Sequence, residues 1–183
     1  MLRPVPANPD LAHVIDFCNH VAEKQAPILI AHKPVFGKPM QECFNIVPEH
    51  VVAHGGKQLI GWAIWDVADV YIEAEFHAVW QDVQGNIVDL TPRPIPEQTT
   101  LFLPDPRREY CGRQVDNIRR SLVDDIDVTR YLHLASRSFQ ILNKGDLAYQ
   151  HGEITLPPRD MRDYRNITKQ MMQLQHRICR RYE

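Results

Sequence analysis

No stretch of this chain approaches the roughly 20 consecutive apolar residues that a helix needs to cross a bilayer, and no membrane partner is expected. Its opening residues, MLRPVPANPD, lack the charged start and apolar run of a secretory leader. A cytoplasmic protein is therefore expected, with export lacking a cleaved signal as the alternative. Charge of one sign is also missing. A net charge of −2 over 183 residues excludes, on bulk charge, both a strongly cationic nucleic-acid binder and an acidic tail. Cys18, Cys43, Cys111 and Cys179 lie far apart with no C-x-x-C pair, which argues against a disulfide scaffold and for a reducing compartment. There is no H-E-x-x-H pattern, no repeat and no low-complexity tract. No cofactor is implied.

What is present suits one domain of the α+β class: an antiparallel sheet packed by a cysteine-bearing helix and by further C-terminal helices. Residues 1–106 read as the core and 107–183 as a helical extension packed on the same domain. Asn8 and Pro9 are start signals for a helix with an apolar stripe at Leu11, Val14, Ile15, Cys18 and Val21. "APILIA" reads as a short buried strand. In "CFNIVPEHVVAHGG" a proline is tolerated only in a first helical turn, so Asn45 is the expected cap of a helix from about Ile46 to His54. Cys43 then stands just outside its N-terminus. "QLIGWAIWD", "VYIEAEFHAVW" and "IVDL" read as an antiparallel meander. The proline-rich piece 92–106 reads as a connector enclosing an edge strand, "TTLFL". "VDNIRRSLVDD" and "DVTRYLHLASRSFQILNKG" read as helices, the second capped by Asp127 and stopped by Gly145. A last helix from about Arg159 to Arg181 carries Ile167, Met171, Leu174 and Ile178 on one face. Its many arginines are interleaved with Asp160 and Asp163, as on a solvated amphipathic helix; no nucleic-acid partner is expected.

The strand "EAEFHAVW" raises a specific question. Ala74, Phe76, Ala78 and Trp80 supply an apolar face, while Glu73, Glu75 and His77 stand on the other. That second face is expected to line a cleft in which His77 meets Cys43, so that replacing His77 should remove no core contact. A thiol becomes a nucleophile as its thiolate, which an imidazolium and a helix N-terminus both favour. The ring then needs an orienting acceptor, and Asp89 is the candidate. A loop over roughly residues 82 to 85 would pair Asp89 with His77 or Ala78. A two-residue turn at Gly85 and Asn86 would instead pair Asp89 with Asp82 and leave Glu75 as the fallback partner. Gln41 is the nearest side-chain candidate for stabilising an oxyanion.

"HAVW" followed by "VDLTP" resembles the His-Ala-Trp and Asp-Pro-Thr blocks of transglutaminase-like, papain-superfamily proteins. The resemblance covers roughly residues 40 to 95. The chain departs from it in having no Trp directly after the cysteine, Val79 before Trp80, and Leu90 between Asp89 and the Thr-Pro pair. The run from "GW" through "EAEFHAVW" to "VDLTP" also resembles a block of small bacterial proteins. The resemblance implies a papain/transglutaminase-like fold with a catalytic Cys43, His77 and Asp89, acting on an amide bond in a peptide or protein substrate. Peptidase, deamidase and acyl-transfer outcomes all stay open. The alternative is a non-catalytic peptide- or protein-binding module that keeps the fold. His50 and His54, at i and i+4, could share a metal only with a third ligand such as His77; they read better as cleft-rim histidines, and no metal is expected.

Overall fold

The structure is a computed structural model that describes residues 3–95, 97–150 and 154–183. It is mixed helix and strand, as the α+β reading requires. Seven strands, β1 (Pro4–Pro6), β2 (Ile28–His32), β3 (Lys57–Val67), β4 (Tyr71–Gln81), β5 (Ile87–Asp89), β6 (Thr99–Pro104) and β7 (Ile118–Ser121), accompany four α-helices. The helices are α1 (Ala12–Val21), α2 (Cys43–His54), α3 (Ile126–Leu142) and α4 (Pro158–Tyr182). Among the described residues no helix is long and apolar enough to cross a membrane.

The expected meander is present, with β3 pairing antiparallel to β4 and β4 to β5. The sheet then does something that strand patterns alone do not announce. β5 pairs with β2 in parallel, β2 with β6, and β6 with β3, so the ladder returns to its start. "TTLFL" is therefore not an edge strand. It lies between β2 and β3, and Leu101, Phe102 and Leu103 are fully buried.

Because the strands close on themselves, both faces of β4 are covered. Ile72, Ala74 and Phe76 pack with Val14, Phe17, Cys18 and Val21 of α1. On the opposite face Val79 joins Ile30 and Phe102, and His77 is 1% exposed. Gly61, opposite His77 in the β3–β4 register, permits the close approach of β6. A Cβ there would stand 2.2 Å from the Leu103 carbonyl oxygen and 2.9 Å from Phe102 Cζ.

Three expected element boundaries are corrected. α1 starts at Ala12 after Leu11, because Asn8 Oδ1 accepts from the Asp10 amide in a local turn and so does not cap the helix. α3 is capped by Asp125, which accepts from the Asp127 amide. "VDNIRRSLVDD" contributes strand β7 in place of a helix, and β7 pairs with Tyr71–Ala74 of β4. Its Arg119 and Arg120 reach carboxylates at Glu73 and Asp16, which an exposed helical reading could not anticipate. α4 buries Leu174 and Ile178 against Val67, Val70 and Val128, while Ile167 and Met171 are half-buried. Full burial of each such aliphatic side chain contributes about 1.5–3 kcal/mol.

The far edge of β4 is shared. β7 takes Tyr71–Ala74 and β5 takes Trp80 and Gln81, so among the described residues 75–79 face no partner strand on that edge. The N-terminus of α2 packs here: Cys43 and Val47 lie against Ala78, and Phe44 stacks on Phe76 with ring centroids 5.0 Å apart.

Candidate active site

Cys43 is the first residue of α2, not a residue outside it. Pro48 falls in the helix's second turn, so the proline does not mark the start, and Asn45 is not the cap. Glu42 is the N-cap residue. It offers no side-chain bond to the helix backbone, but its carboxylate accepts from Asn45 Nδ2 at 2.8 Å. As an initial helical amide, the Cys43 N–H has no intrahelical acceptor. Just upstream, Gln41 adopts φ 60°, a left-handed conformation that non-glycine residues seldom hold, and its amide donates to the Pro92 carbonyl at 3.2 Å.

His77 and Asp89 meet directly, with 3.0 Å between Nε2 and Oδ1. The hairpin register is neither of the two expected ones. Trp80 pairs with Val88 and Gln81 with Ile87, so continuing the ladder puts Asp89 beside Val79. The contact with His77 is therefore diagonal across the strands, within the reach of such neighbours. Asp82 sets this longer loop, its carboxylate accepting from the Gln84 and Asn86 amides.

Asp89 is fully buried and has no spare face. Oδ1 also accepts from the Thr91 amide at 3.0 Å, and Oδ2 accepts from the Thr100 hydroxyl at 2.8 Å. Arg93 Nη2 approaches Oδ2 to 3.7 Å. Burial alone would raise the Asp89 pKa, but the His77 charge and hydrogen bond, then Arg93 and the Thr91 amide, hold it below the ordinary carboxylate range. For His77, burial works toward the neutral ring. The charge of Asp89, then that of Cys43, and the Asp89 hydrogen bond outweigh it and push the pKa up to about 10. Asp89 occupies Nε2, which leaves Nδ1 as the other ring nitrogen.

Cys43, Gln41 and Glu75 border a cavity of about 650 Å³ that runs along the open stretch of β4. Cys43 is only 4% exposed, touches Val47 and Ala78, and meets the cavity at its wall. His77 is buried and does not border the cavity. The expectation that its removal touches no core contact is thus corrected: it is among the largest fully buried side chains. Glu75 does not serve as its partner. Its Oε2 accepts from Trp65 Nε1 and from Arg93 Nη1, each at 2.9 Å.

Arg93, Thr91 and Thr100 escape sequence reasoning, because the first two sit in a proline-rich segment and the third in a strand read as an edge. The spacing of Asp89 and Arg93, four residues apart across Thr91 and Pro92, was the available signal. Arg93 lies over the Trp65 ring at 4.4 Å and is 92% buried at its side chain (8% exposed). His32 reaches the carbonyl oxygens of Thr91 and Glu97, one with each ring nitrogen, and so fastens both ends of the segment that carries Arg93.

The other thiols differ in setting. Burial pushes Cys18 up to about 11, while Cys111 is exposed and Cys179 half-buried. His50 and His54 stand ring to ring at 4.2 Å beside Trp80, and His77 lies with Asp89 and not with them. Among the described residues, the metal-capable side chains that gather are His13, Asp66 and Asp69. There His13 Nε2 is 2.9 Å from Asp66 Oδ2, and Asp66 Oδ1 accepts from the Asp69 amide as part of a turn.

No family model matches the chain, and no curated protein or solved structure matches it.

Proposed function

We propose that the protein is a cysteine-dependent amide-bond enzyme of transglutaminase-like, papain-superfamily type, using Cys43, His77 and Asp89. The observation that carries this reading is the buried His77 ring, held by Asp89 at Nε2, on the strand where Cys43 at the start of α2 packs against the neighbouring Ala78. In the proposed reaction the Cys43 thiolate attacks the amide carbonyl carbon. The developing oxyanion is met by the Cys43 N–H, with the Gln41 side chain as second donor. As the C–N bond breaks, the His77 imidazolium gives its proton to the leaving amine. Water or an amine then attacks the thioester, losing its proton to His77. The products are an acid or a new amide, and the thiolate is restored. Asp89 keeps the ring oriented and stabilises its charged form.

A second reading, a peptide- or protein-binding module, draws on the near-complete burial of Cys43 against Val47 and Ala78. Alkylation by iodoacetamide from pH 5 to 9, with mapping of the modified residue, separates the two. The enzyme reading expects Cys43 to label first at pH 6, ahead of the exposed Cys111. Labelling of Cys111 with Cys43 silent leaves the binding module as the better account.

A further inference from the structure

The wall of the cavity beside Cys43 has more acceptors and negative charge than its own cations neutralise. Arg93 is faced by two carboxylates, Glu75 at 2.9 Å and Asp89 at 3.7 Å. Arg119 is likewise faced by Glu73 at 2.6 Å and Asp116 at 2.9 Å. The Arg119 cluster therefore carries one carboxylate in excess, whereas at Arg93 the second carboxylate, Asp89, is also paired with His77.

In the same cavity wall Glu75 presents a defined acceptor. The bonds to Glu75 from Trp65 and from Arg93 both end on Oε2, so among the described residues Oε1 has no hydrogen-bond partner, while the side chain stays 21% exposed. Arg93 spends Nη1 on Glu75, and its Nε and Nη2 are buried with no hydrogen-bond partner among the described residues. Around this acceptor the cavity is aromatic. Phe44 stacks on Tyr110 with centroids 3.9 Å apart, and Phe76, Trp65 and Phe139 border the same space. A carboxylate oxygen in the wall of an aromatic-lined cavity suits a ligand with an apolar stem and a cationic, hydrogen-donating tip.

We propose that the cavity binds an alkylammonium group, with Glu75 Oε1 as its anchor, and that the amide substrate of Cys43 carries this group beside the scissile bond. The second clause rests on the amide-enzyme reading; the cation site itself does not. A neutral side chain of equal length would fill the stem region but leave Oε1 unmet, and an acidic one would face Glu75 and Glu73 directly.

The test is equilibrium binding, which needs no thiol chemistry. The ¹⁵N-labelled full chain is titrated with Nα-acetyl-lysine N-methylamide and with its norleucine and glutamate counterparts. The reporter is the Trp65 indole N–H, which donates to Glu75 and is assigned with Trp65→Phe. The lysine derivative should bind at least about fivefold more tightly than norleucine, lose that advantage as salt rises, and lose it in Glu75→Gln, which keeps an acceptor for Trp65. The glutamate derivative should not bind. Equal lysine and norleucine affinities, preference for glutamate, or no lysine-induced shift at ~20 mM ligand overturns the proposal. The ratio and its salt dependence in the wild-type chain decide the matter even if Glu75→Gln misfolds. Titration with 1,5-diaminopentane distinguishes the sources: binding as tight as the lysine derivative assigns the site to a free diamine, and weaker binding to a peptide side chain. Lysine selectivity with an unreactive Cys43 would remove the enzyme reading and keep the site; a reactive Cys43 without selectivity would do the reverse.

Discussion

Replacing Asp89 by asparagine tests the centre of the site through stability alone. The side chain keeps its shape, and Oδ1 can still accept from His77 and from the Thr91 amide. Two things are lost. The Thr100 hydroxyl, which donates to Oδ2, now meets an amide that itself donates, and the buried His77 imidazolium loses its counter-charge. Removing one member of a buried ion pair costs about 3–5 kcal/mol, and the bonds that asparagine keeps place this change near ~3 kcal/mol. With a urea m-value of ~2 kcal/mol/M, the unfolding midpoint should fall by ~1.5 M. The pH dependence follows from the directions of the two shifts. His77 is raised from 6.5 to about 10, so its contribution is complete below pH 6.5 and is lost as pH rises through about 10. Asp89 is depressed from 3.8, so its contribution is present above that value and is lost as pH falls through its folded pKa. The gap between wild type and Asp89→Asn should therefore be widest between these windows, at about pH 4–6.5, and close toward pH 10. Urea titrations at pH 6, 8 and 10 measure it. A gap under ~1 kcal/mol at pH 6, or one that does not narrow by pH 10, refutes the buried charged pair.

Three further outcomes are expected. His77→Ala should slow alkylation of Cys43 at pH 7 by up to ~30-fold, because an unassisted thiol is only a few per cent thiolate there, and should also lower stability, since a buried ring is lost. An unchanged alkylation rate in a variant shown by circular dichroism to be folded would count against the pair. Gly61→Ala should destabilise by about 1–3 kcal/mol or more in thermal or urea unfolding, because its methyl would meet the Leu103 carbonyl across β6; a neutral result would show that β3 and β6 can separate. Leu174→Ala should cost about 2–5 kcal/mol, as a buried contact of α4 with Val67, Val70 and Val128 is emptied, whereas Arg162 and Arg165, both exposed, should tolerate charge reversal with little change in the melting temperature.

Local signals made much of the molecule legible. The alternating pattern of β4, the strand before it and the stripe of α4 each carry a period that only one element type satisfies, and the chain order Cys43, His77, Asp89 could be picked out from residue types alone. What stayed hidden depended on neighbours distant in sequence. Thr99 to Pro104 looks like an edge because prolines flank it, yet β2 and β3 supply both of its partners. Ile118–Ser121 looks helical because its charges are spaced for a solvated face, yet they answer carboxylates on β4 and α1. Pro48 misplaced the start of α2, since the rule that confines proline to a first turn yields to tertiary packing of Val47 and Phe44. Arg93 and Glu75 could not be paired from sequence at all: eighteen residues separate them, and the segment carrying Arg93 reads as a plain connector.

The closed run of strands also has a consequence for the order in which the chain acquires its properties. His77, Asp89 and Thr100 belong to β4, β5 and β6, and Cys43 to a helix laid across the divided edge of β4. The hairpin of β3 and β4 is local and can form early. The parallel β2–β5 pair joins residues more than fifty positions apart, and such pairings form late because loop closure opposes them. Until that pair zips, Thr100 is not opposite Asp89, and the segment from Thr91 to Arg93 has no fixed path. Nascent or partly unfolded chains thus carry Cys43 as one thiol among four. Its environment is a property of the completed ring, which makes the thiol a built-in clock for the last step of folding.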